Sequence, residues 1–184
     1  MPTELIKVTF VLATLRAGGA ERVYSFVSQN LDKNQFDTTL LVFGHERDAA
    51  FDTSGVKTIY LGADSVTKGV GKFFKYLKNN RPDLVCGSVI HVNVVLGLMS
   101  LLFLSTKFVG REVSVISLMD GYMPKTIPFQ KQIRKFFYNR LDGLICQSKD
   151  MASDLSRQLN LRLEKLQVIA NPITLPDKEL VTYS

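Results

Sequence analysis

Continuous apolar runs and amphipathic runs alternate along the whole chain. The continuous runs predict seven strands, at residues 5–12, 36–44, 56–62, 83–90, 107–117, 141–148 and 165–171. Between most of them, apolar residues recur every three or four positions, which predicts helices over 20–31, 70–80, 92–104, 127–140 and 149–159. Strands that are separated by helices imply a parallel sheet with helices on both faces. We therefore predict an α/β fold with a doubly wound, mostly parallel sheet of about seven strands.

The same spacing predicts which side of each helix faces the core. The apolar positions of three helices are Val23, Phe26, Val27 and Leu31, then Phe129, Ile133, Phe136 and Phe137, and finally Met151, Leu155 and Leu159. The helix over 127–140 also carries the basic residues Lys131, Arg134, Lys135 and Arg140. Two interpretations of that helix are open: its apolar stripe faces the core, or the helix docks on an anionic membrane surface. We favour the core-facing stripe.

The stretch 84–105 carries no formal charge. Its length suits a transmembrane helix. However, Gly87, Ser88, His91 and Asn93 interrupt its first half, so we interpret it as a strand followed by a buried apolar helix. The N-terminus shows neither a basic region nor a long apolar region of the secretory type, and the cytoplasm is therefore the expected location.

The composition is that of a basic globular domain. The 184 residues carry a net charge of +6, and 46% of them are hydrophobic and 22% charged. A basic domain favours partners that carry phosphate, such as nucleic acid, anionic lipid or a nucleotide, and an excess this small does not choose among them. Aromatic residues interleave with positive charge only in the helices over 70–80 and 127–140, so we expect no nucleic-acid binding.

Cysteine and histidine residues are few and far apart. Cys86 and Cys146 lie within apolar, strand-like runs, which indicates small buried side chains rather than a disulfide or a nucleophile. The two histidines, His45 and His91, are distant from them and from each other. Because a metal site needs clustered ligands, we expect no metal and no cofactor.

Two adjacent glycines, Gly18 and Gly19, lie between the first predicted strand and the first predicted helix. At that position of a doubly wound sheet, helix N-terminal amides attract anions, and missing side chains let a phosphate approach the backbone. We predict a phosphate-binding turn with Arg22 as a further candidate. The alternative is a plain turn with a solvated Arg22. The Gly-x-Gly-x-x-Gly fingerprint is not met, which argues against a nicotinamide dinucleotide.

Five segments, in order along the chain, resemble the glycosyltransferases of family 4, also called group 1, which are retaining enzymes of the GT-B fold. The segments are GGAERV after the first strand, RPDLV before the fourth, VGREVS at the fifth, FFYNRLDGLICQSKDMASDL around the sixth, and LQVIANPI at the seventh. Together they cover about residues 5–173. The resembled part is the N-terminal, Rossmann-like domain, which binds the sugar acceptor in that family.

The resemblance implies one half of a two-domain enzyme. Residues 1–173 would form the acceptor-binding domain, and residues 174–184 the start of an interdomain linker or a tail. The family's donor-binding domain carries a Glu-x7-Glu motif that this sequence lacks, so we expect that domain elsewhere in a longer chain or in a partner subunit. The implied reaction transfers a sugar from a nucleotide-sugar, a substrate rather than a cofactor, to a saccharide or lipid-linked acceptor. The domain alone is expected to be inactive.

The resemblance also assigns roles to residues at the expected cleft. Gly18 and Gly19 would contact the donor diphosphate through backbone amides. The expected acceptor-binding residues are His91, Asn93, Arg111, Glu112, Ser114, Ser148 and Lys149. For Asn93 we favour the alternative of a helix N-cap. Relatives often have a His at the end of the fifth strand, and this chain has none there. The catalytic residue therefore stays unknown, with Glu112 and Asp120 as acid or base candidates.

Two functions of other classes remain open at this stage. One is a stand-alone binding or regulatory module that uses the same phosphate turn, and the other is a nicotinamide-dependent oxidoreductase. A Glu-x7-Glu motif in sequence that follows Ser184 would favour the transferase over the module. Micromolar affinity for NAD would favour the oxidoreductase.

Overall fold

A computed structural model describes residues 4–115 and 129–172. Its elements, in chain order, are β1 Ile6–Leu12, α1 Gly19–Asn30, β2 Phe36–Val42, β3 Lys57–Tyr60, α2 Val66–Asn80, β4 Leu84–Ser88, α3 Ile90–Met99, β5 Lys107–Arg111, α4 Gln130–Arg140, β6 Gly143–Cys146, α5 Lys149–Leu159 and β7 Leu166–Val168. Single turns of 3-10 helix lie at Glu46–Asp48 and Leu163–Lys165.

The seven described strands form one sheet in the order β3-β2-β1-β4-β5-β6-β7. Every neighbouring pair is parallel. The predicted doubly wound α/β fold is therefore confirmed. The order in which strands are added to the sheet reverses at β1, which has β2 on one side and β4 on the other. In sheets of this kind, ligands bind at the carboxyl ends of the strands beside such a reversal.

The core consists of one layer on each face of the sheet. Helix α1 packs on one face, where Val23 and Tyr24 meet Phe10 and Leu12 of β1. The other four helices cover the opposite face, and their shared core includes Phe73, Leu77, Leu96, Phe108, Tyr138 and Leu155. Fully buried strands explain why the apolar runs in the sequence do not alternate with polar residues.

Helix α5 begins and packs as the sequence predicts. Met151, Leu155 and Leu159 are buried. The hydroxyl of Ser148 caps the helix and accepts a hydrogen bond from the Met151 N–H at 3.2 Å. A serine cap satisfies one of the backbone donors that the first turn of a helix leaves unpaired.

The buried side of helix α1 is predicted only in part. Val23 is buried, but Phe26, which the pattern placed on the same side, is 38% exposed. Tyr24 occupies the core instead, with its ring 5.0 Å from the ring of Phe10. Its hydroxyl also donates a hydrogen bond of 2.8 Å to the Gly87 carbonyl oxygen, so the polar tip of the tyrosine is paired inside the core.

The uncharged stretch forms β4, then α3, then a turn, and no helix in the two described ranges is long and apolar enough to cross a membrane. The strand ends two residues earlier than predicted, because Val89 turns sharply with φ 70° and ψ 153°. Side chains with a branched Cβ rarely adopt a positive φ, so this turn is strained. The helix ends at Met99, and Leu104 beyond it is 85% exposed.

The predicted orientation of helix α4 is wrong. Phe129, Ile133 and Phe136 are 72%, 43% and 48% exposed rather than buried, and Phe137, the fourth position of the predicted stripe, is partly buried. Arg134 and Tyr138, four residues apart, are buried in their place. The hydroxyl of Tyr138 donates a hydrogen bond to the carboxylate of Glu112, which is itself buried. A buried carboxylate needs a hydrogen-bond donor, so it draws the polar side of the helix inward.

Candidate functional site

The turn with the two glycines lies at the carboxyl edge of the sheet, between β1 and α1. Gly18 is the N-cap of α1, with φ −163° and ψ 162°, so the turn does not depend on a left-handed backbone at that position. A side chain at Gly18 would overlap the carboxylate of Glu21, whereas the space beside Gly19 is open. The backbone is therefore accessible from the Gly19 side, next to exposed Arg22. The phosphate contact itself stays a prediction.

Arg111, the last residue of β5, joins three parts of the same edge. Its side chain is buried, and its guanidinium donates to the Ser88 hydroxyl at 3.3 Å and to the side-chain oxygen of Asn171. It also lies over the ring of Tyr24, 5.9 Å from the centroid. Burial lowers the pKa of Arg111, while the neighbouring Tyr24 and Glu112 raise it. An arginine remains a cation under these influences, so the edge keeps a fixed positive charge.

Glu112 follows Arg111 and is the centre of a buried polar cluster. It is 1% exposed and accepts hydrogen bonds from Asn93 Nδ2 at 3.0 Å and from the Tyr138 hydroxyl. Burial raises the pKa of Glu112, and the bonds from Tyr138 and Asn93 and the charge of Arg134 lower it in part. The carboxyl group is therefore held in one place and is not open to solvent.

Asn93 lies inside helix α3 rather than at its start. The favoured N-cap role is wrong, because Val89 holds the N-cap position and the Asn93 backbone N–H donates to the Val89 carbonyl oxygen. Its side chain is fully buried and also donates to the Arg111 carbonyl oxygen at 3.1 Å. A side chain at Gly110 would come within 3.0 Å of the Asn93 amide oxygen, so this glycine makes room for Asn93.

The remaining predicted site residues lie closer to solvent. His91 is exposed and is the second residue of α3, not the end of the fourth strand as the sequence suggested. Ser114 is partly buried just beyond β5, and Ser148 and Lys149 are exposed at the start of α5. Asp120 falls outside the described residues. The acceptor contacts expected of these residues, and of buried Arg111, Glu112 and Asn93, stay predictions.

Sequence reasoning missed five residues that interact with the buried cluster: the buried residues Tyr24, Ser88, Arg134 and Tyr138, and the exposed residue Asn171. Two of them lay within segments singled out in the sequence, since Tyr138 belongs to FFYNRLDG and Asn171 to LQVIANPI. That resemblance was the only signal available, because the contacts join residues far apart along the chain. Tyr138 and Glu112 are 26 positions apart, and Arg111 and Asn171 are 60 positions apart.

A groove opens at the same edge, between the first turns of α2, α3 and α4. Its volume is about 180 Å³. Its lining is Val66, Thr67, Ile90, His91, Val94, Val95, Gln130, Ile133 and Arg134. We call it the α2–α3–α4 groove. Most of its wall is aliphatic, and exposed His91 stands at its rim.

The sheet, its reversal at β1 and the polar cluster at the carboxyl edge define a doubly wound α/β domain of the kind that binds ligands at that edge. Residues 17–175 match the family model described as Glycosyltransferase Family 4. This match spans most of the chain, so the protein belongs to Glycosyltransferase Family 4. A search of curated proteins finds no match.

Solved structures show the same fold at low sequence identity. The Anabaena protein HepE in complex with UDP is 17% identical with a TM-score of 0.68, and the match covers 91% of this chain and 44% of that one. The lipopolysaccharide outer core galactosyltransferase WaaB is 16% identical with a TM-score of 0.61, over 93% and 47%. The UDP-GlcNAc 2-epimerase from Methanocaldococcus jannaschii is 17% identical with a TM-score of 0.60, over 90% and 45%.

The chain spans less than half the length of these three proteins. Together with the family match, this agrees with the N-terminal domain of a GT-B glycosyltransferase, as the sequence motifs predicted. The epimerase shares the fold as well, so the fold alone does not choose between the two enzyme classes. The family match is what identifies the glycosyltransferase class.

Proposed function

We propose that this chain is the acceptor-binding domain of a retaining glycosyltransferase. The enzyme transfers a sugar from a nucleotide-sugar to a saccharide or lipid-linked acceptor, in the cytoplasm. The observation that carries the proposal is the match of residues 17–175 to Glycosyltransferase Family 4. The UDP bound to the structurally similar HepE supports a nucleotide-sugar donor. Activity requires a donor-binding domain, supplied by a longer chain or by a partner subunit.

The glycine turn would stabilise the departing nucleotide. The first backbone amides of α1 point toward the carboxyl edge of the sheet, where the helix dipole favours a diphosphate. The diphosphate would approach from the open side at Gly19, because the Glu21 carboxylate occupies the space beside Gly18. Exposed Arg22 would add a positive charge. Fixed donors of this kind stabilise negative charge that develops in the transition state.

The buried cluster would form a rigid floor under the acceptor. Arg111, Glu112 and Asn93 are linked by hydrogen bonds and hold the ends of β4 and β5 together. Exposed His91, Ser148 and Lys149 would then contact the acceptor itself. Glu112 and Asp120 remain the candidates for an acid or base. A rigid support raises the rate by keeping the acceptor hydroxyl in reacting geometry.

A sugar-transfer assay tests the proposal. The chain alone and the chain combined with a family donor-binding domain would be incubated with radiolabelled UDP-sugars and an acceptor mixture. We expect transfer only in the combined sample, with the anomeric configuration of the donor retained in the product by NMR. An inverted product would contradict the retaining mechanism, and transfer by the chain alone would contradict its dependence on a second domain.

Calorimetric titration separates the proposal from the alternatives. We expect weak or undetectable binding of UDP to the chain, because most donor contacts belong to the other domain. Micromolar binding of NAD would overturn the proposal in favour of an oxidoreductase.

We also propose that the enzyme contacts a membrane surface peripherally through helix α4. Phe129, Ile133 and Phe136 are exposed on this helix, next to exposed Lys131 and Lys135. Apolar side chains flanked by lysines are typical of helices that lie in the interface of an anionic bilayer.

A further inference from the structure

The α2–α3–α4 groove has the wall of a hydrocarbon site rather than of a sugar site. Val66, Ile90, Val94, Val95 and Ile133 supply aliphatic surface in a volume of about 180 Å³. A saccharide placed against these side chains would lose hydrogen bonds to water without replacing them, which is costly for each hydroxyl group. A hydrocarbon chain would gain by leaving water at the same place.

Of the three helices around the groove, α2 and α4 carry positive charge, α3 carries no formal charge, and none of the three contains an acidic residue. Helices α2 and α4 contain Lys68, Lys72, Lys75, Lys78, Lys131, Arg134, Lys135 and Arg140, and neither they nor α3 contain Asp or Glu. The nearest acidic residue on these segments is Asp64, just before α2, and it pairs with Lys68 at 3.2 Å and with His45 at 3.3 Å.

The first turns of the same helices add to this positive field. None of the first turns of α2, α3 and α4 contains an acidic residue, whereas those of α1 and α5 contain Glu21 and Asp150. The positive ends of three helix dipoles therefore meet around the groove. The buried carboxylate of Glu112 offsets part of this field, since it accepts a hydrogen bond from Asn93 of α3 and interacts with the charge of Arg134. This arrangement complements a ligand whose apolar part is joined to an anionic group.

We propose that the groove binds the hydrocarbon part of an anionic amphiphilic acceptor. This inference rests on the proposed function and chooses the lipid-linked acceptor over the free saccharide. The tail lies among the five aliphatic side chains, and the anionic head lies at the rim with His91, where the sugar-accepting group meets the carboxyl edge of the sheet. Ile133 belongs both to the groove and to the exposed apolar side of α4, so it connects the site with the surface that contacts the bilayer.

The test measures binding of three probes to the 184-residue chain by equilibrium dialysis, below the micellar concentration of each. Dodecyl phosphate carries both the tail and the charge, dodecyl maltoside carries the same tail without charge, and inorganic phosphate carries the charge alone. We expect dodecyl phosphate to bind most tightly, with its advantage over the maltoside shrinking as salt is added. Equal binding of the two dodecyl probes, or binding of inorganic phosphate as tight as that of dodecyl phosphate, would overturn the proposal.

Two variants and a control locate the binding. Val94→Trp fills the groove with a larger side chain. Ile133→Asp places a carboxylate in the groove lining at an exposed position, where a charged side chain is expected to leave folding intact. Each is expected to weaken dodecyl phosphate binding at least about tenfold, as loss of several buried methylene groups requires. Leu163→Ser, which removes an exposed apolar side chain from a 3-10 turn outside the groove lining, is the matched control and should bind as the wild type does.

The outcomes separate this inference from the proposed function. Unchanged dodecyl phosphate binding in a folded groove variant would overturn the groove site. An enzyme that transfers sugar to water-soluble saccharides, from a chain that does not bind dodecyl phosphate, would overturn the inference and leave the proposed function intact. Absence of sugar transfer in the combined sample would instead contradict the proposed function.

Discussion

Glu112 illustrates how one buried group organises its surroundings. Its carboxylate is satisfied by Asn93 and Tyr138, and the helix that carries Tyr138 turns its polar side inward as a result. The same orientation leaves Phe129 and Phe136 exposed. The hydrogen bond to one acidic side chain therefore helps to fix which surface of the helix faces solvent.

The pH dependence of stability should reveal this carboxyl group. Burial raises the pKa of Glu112 above its ordinary value of 4.5. As the pH rises past that value, the unfolded chain ionises first, so the stability that Glu112 contributes falls until the pH passes the folded-state pKa. Over that pH interval, we expect the unfolding free energy of the wild type to fall relative to that of Glu112→Gln. Urea unfolding at a series of pH values measures it, and a constant difference would contradict the buried position.

The two thiols should be inert in the folded protein. Burial raises the pKa of Cys86 to about 12 and that of Cys146 to about 11. Since the thiolate is the reactive form, we expect almost no reaction with a disulfide reagent near neutral pH, and complete reaction in urea. Rapid labelling of the native chain would show that the strands carrying the two cysteines are open to solvent.

At the scale of elements, the packing of α3 against α4 depends on a glycine. A side chain at Gly97 of α3 would overlap the carbonyl oxygen of Phe137 in α4. The close approach holds α4 in the position from which Tyr138 reaches Glu112. This contact therefore supports the floor of the candidate site and one wall of the groove.

A pair of glycine substitutions tests that contact. Gly97→Ala should lower the free energy of unfolding by about 1–3 kcal/mol, because the added methyl group forces the two helices apart. Gly71→Ala is the matched control in α2, where nothing lies within 4 Å of the added group. It should stabilise the chain slightly, by roughly 0.5–1 kcal/mol, since alanine favours a helix more than glycine does. Equal effects of the two substitutions in urea unfolding would contradict the close packing.

At the scale of the whole molecule, charge is distributed unevenly between the layers. The charged residues of α2 and α4 are all basic, α3 has none, and these three helices lie on the same face of the sheet. Exposed apolar residues add to the same layer, since Phe74 is 40%, Ile133 43% and Phe136 48% exposed. This combination is the basis of the proposed contact with an anionic bilayer.

Vesicle sedimentation tests this side of the molecule. We expect the chain to bind vesicles that contain phosphatidylglycerol more than vesicles of phosphatidylcholine alone, and added salt should weaken the binding as it screens the charges. The double substitution of Ile133 and Phe136 by serine should reduce binding severalfold. Leu163→Ser removes an apolar side chain that is more exposed, at 65%, from a 3-10 turn outside these helices and serves as the control. Equal loss in both variants would contradict a specific contact through α4.

The order of strands and helices could be predicted because it depends on short-range patterns. Runs of apolar residues in β1, β2 and β4 identify buried strands wherever they lie in space, and the serine before α5 identifies a helix start. The family motifs also predicted which residues lie at the carboxyl edge of the sheet. Orientation was less predictable: an apolar stripe normally faces the core, and in α4 a partner from another element reversed that rule.

The sequence by itself determined the fold class, the alternation of elements, the cap of α5 and the family to which the chain belongs. These follow from the identity of neighbouring residues and from motifs that keep their order. Only the tertiary structure decided which side of α4 is buried, that Asn93 and Glu112 form one cluster with Tyr138, and that three helix starts enclose a groove. Those features depend on contacts between residues far apart in the chain, where burial of one polar group determines the environment of another.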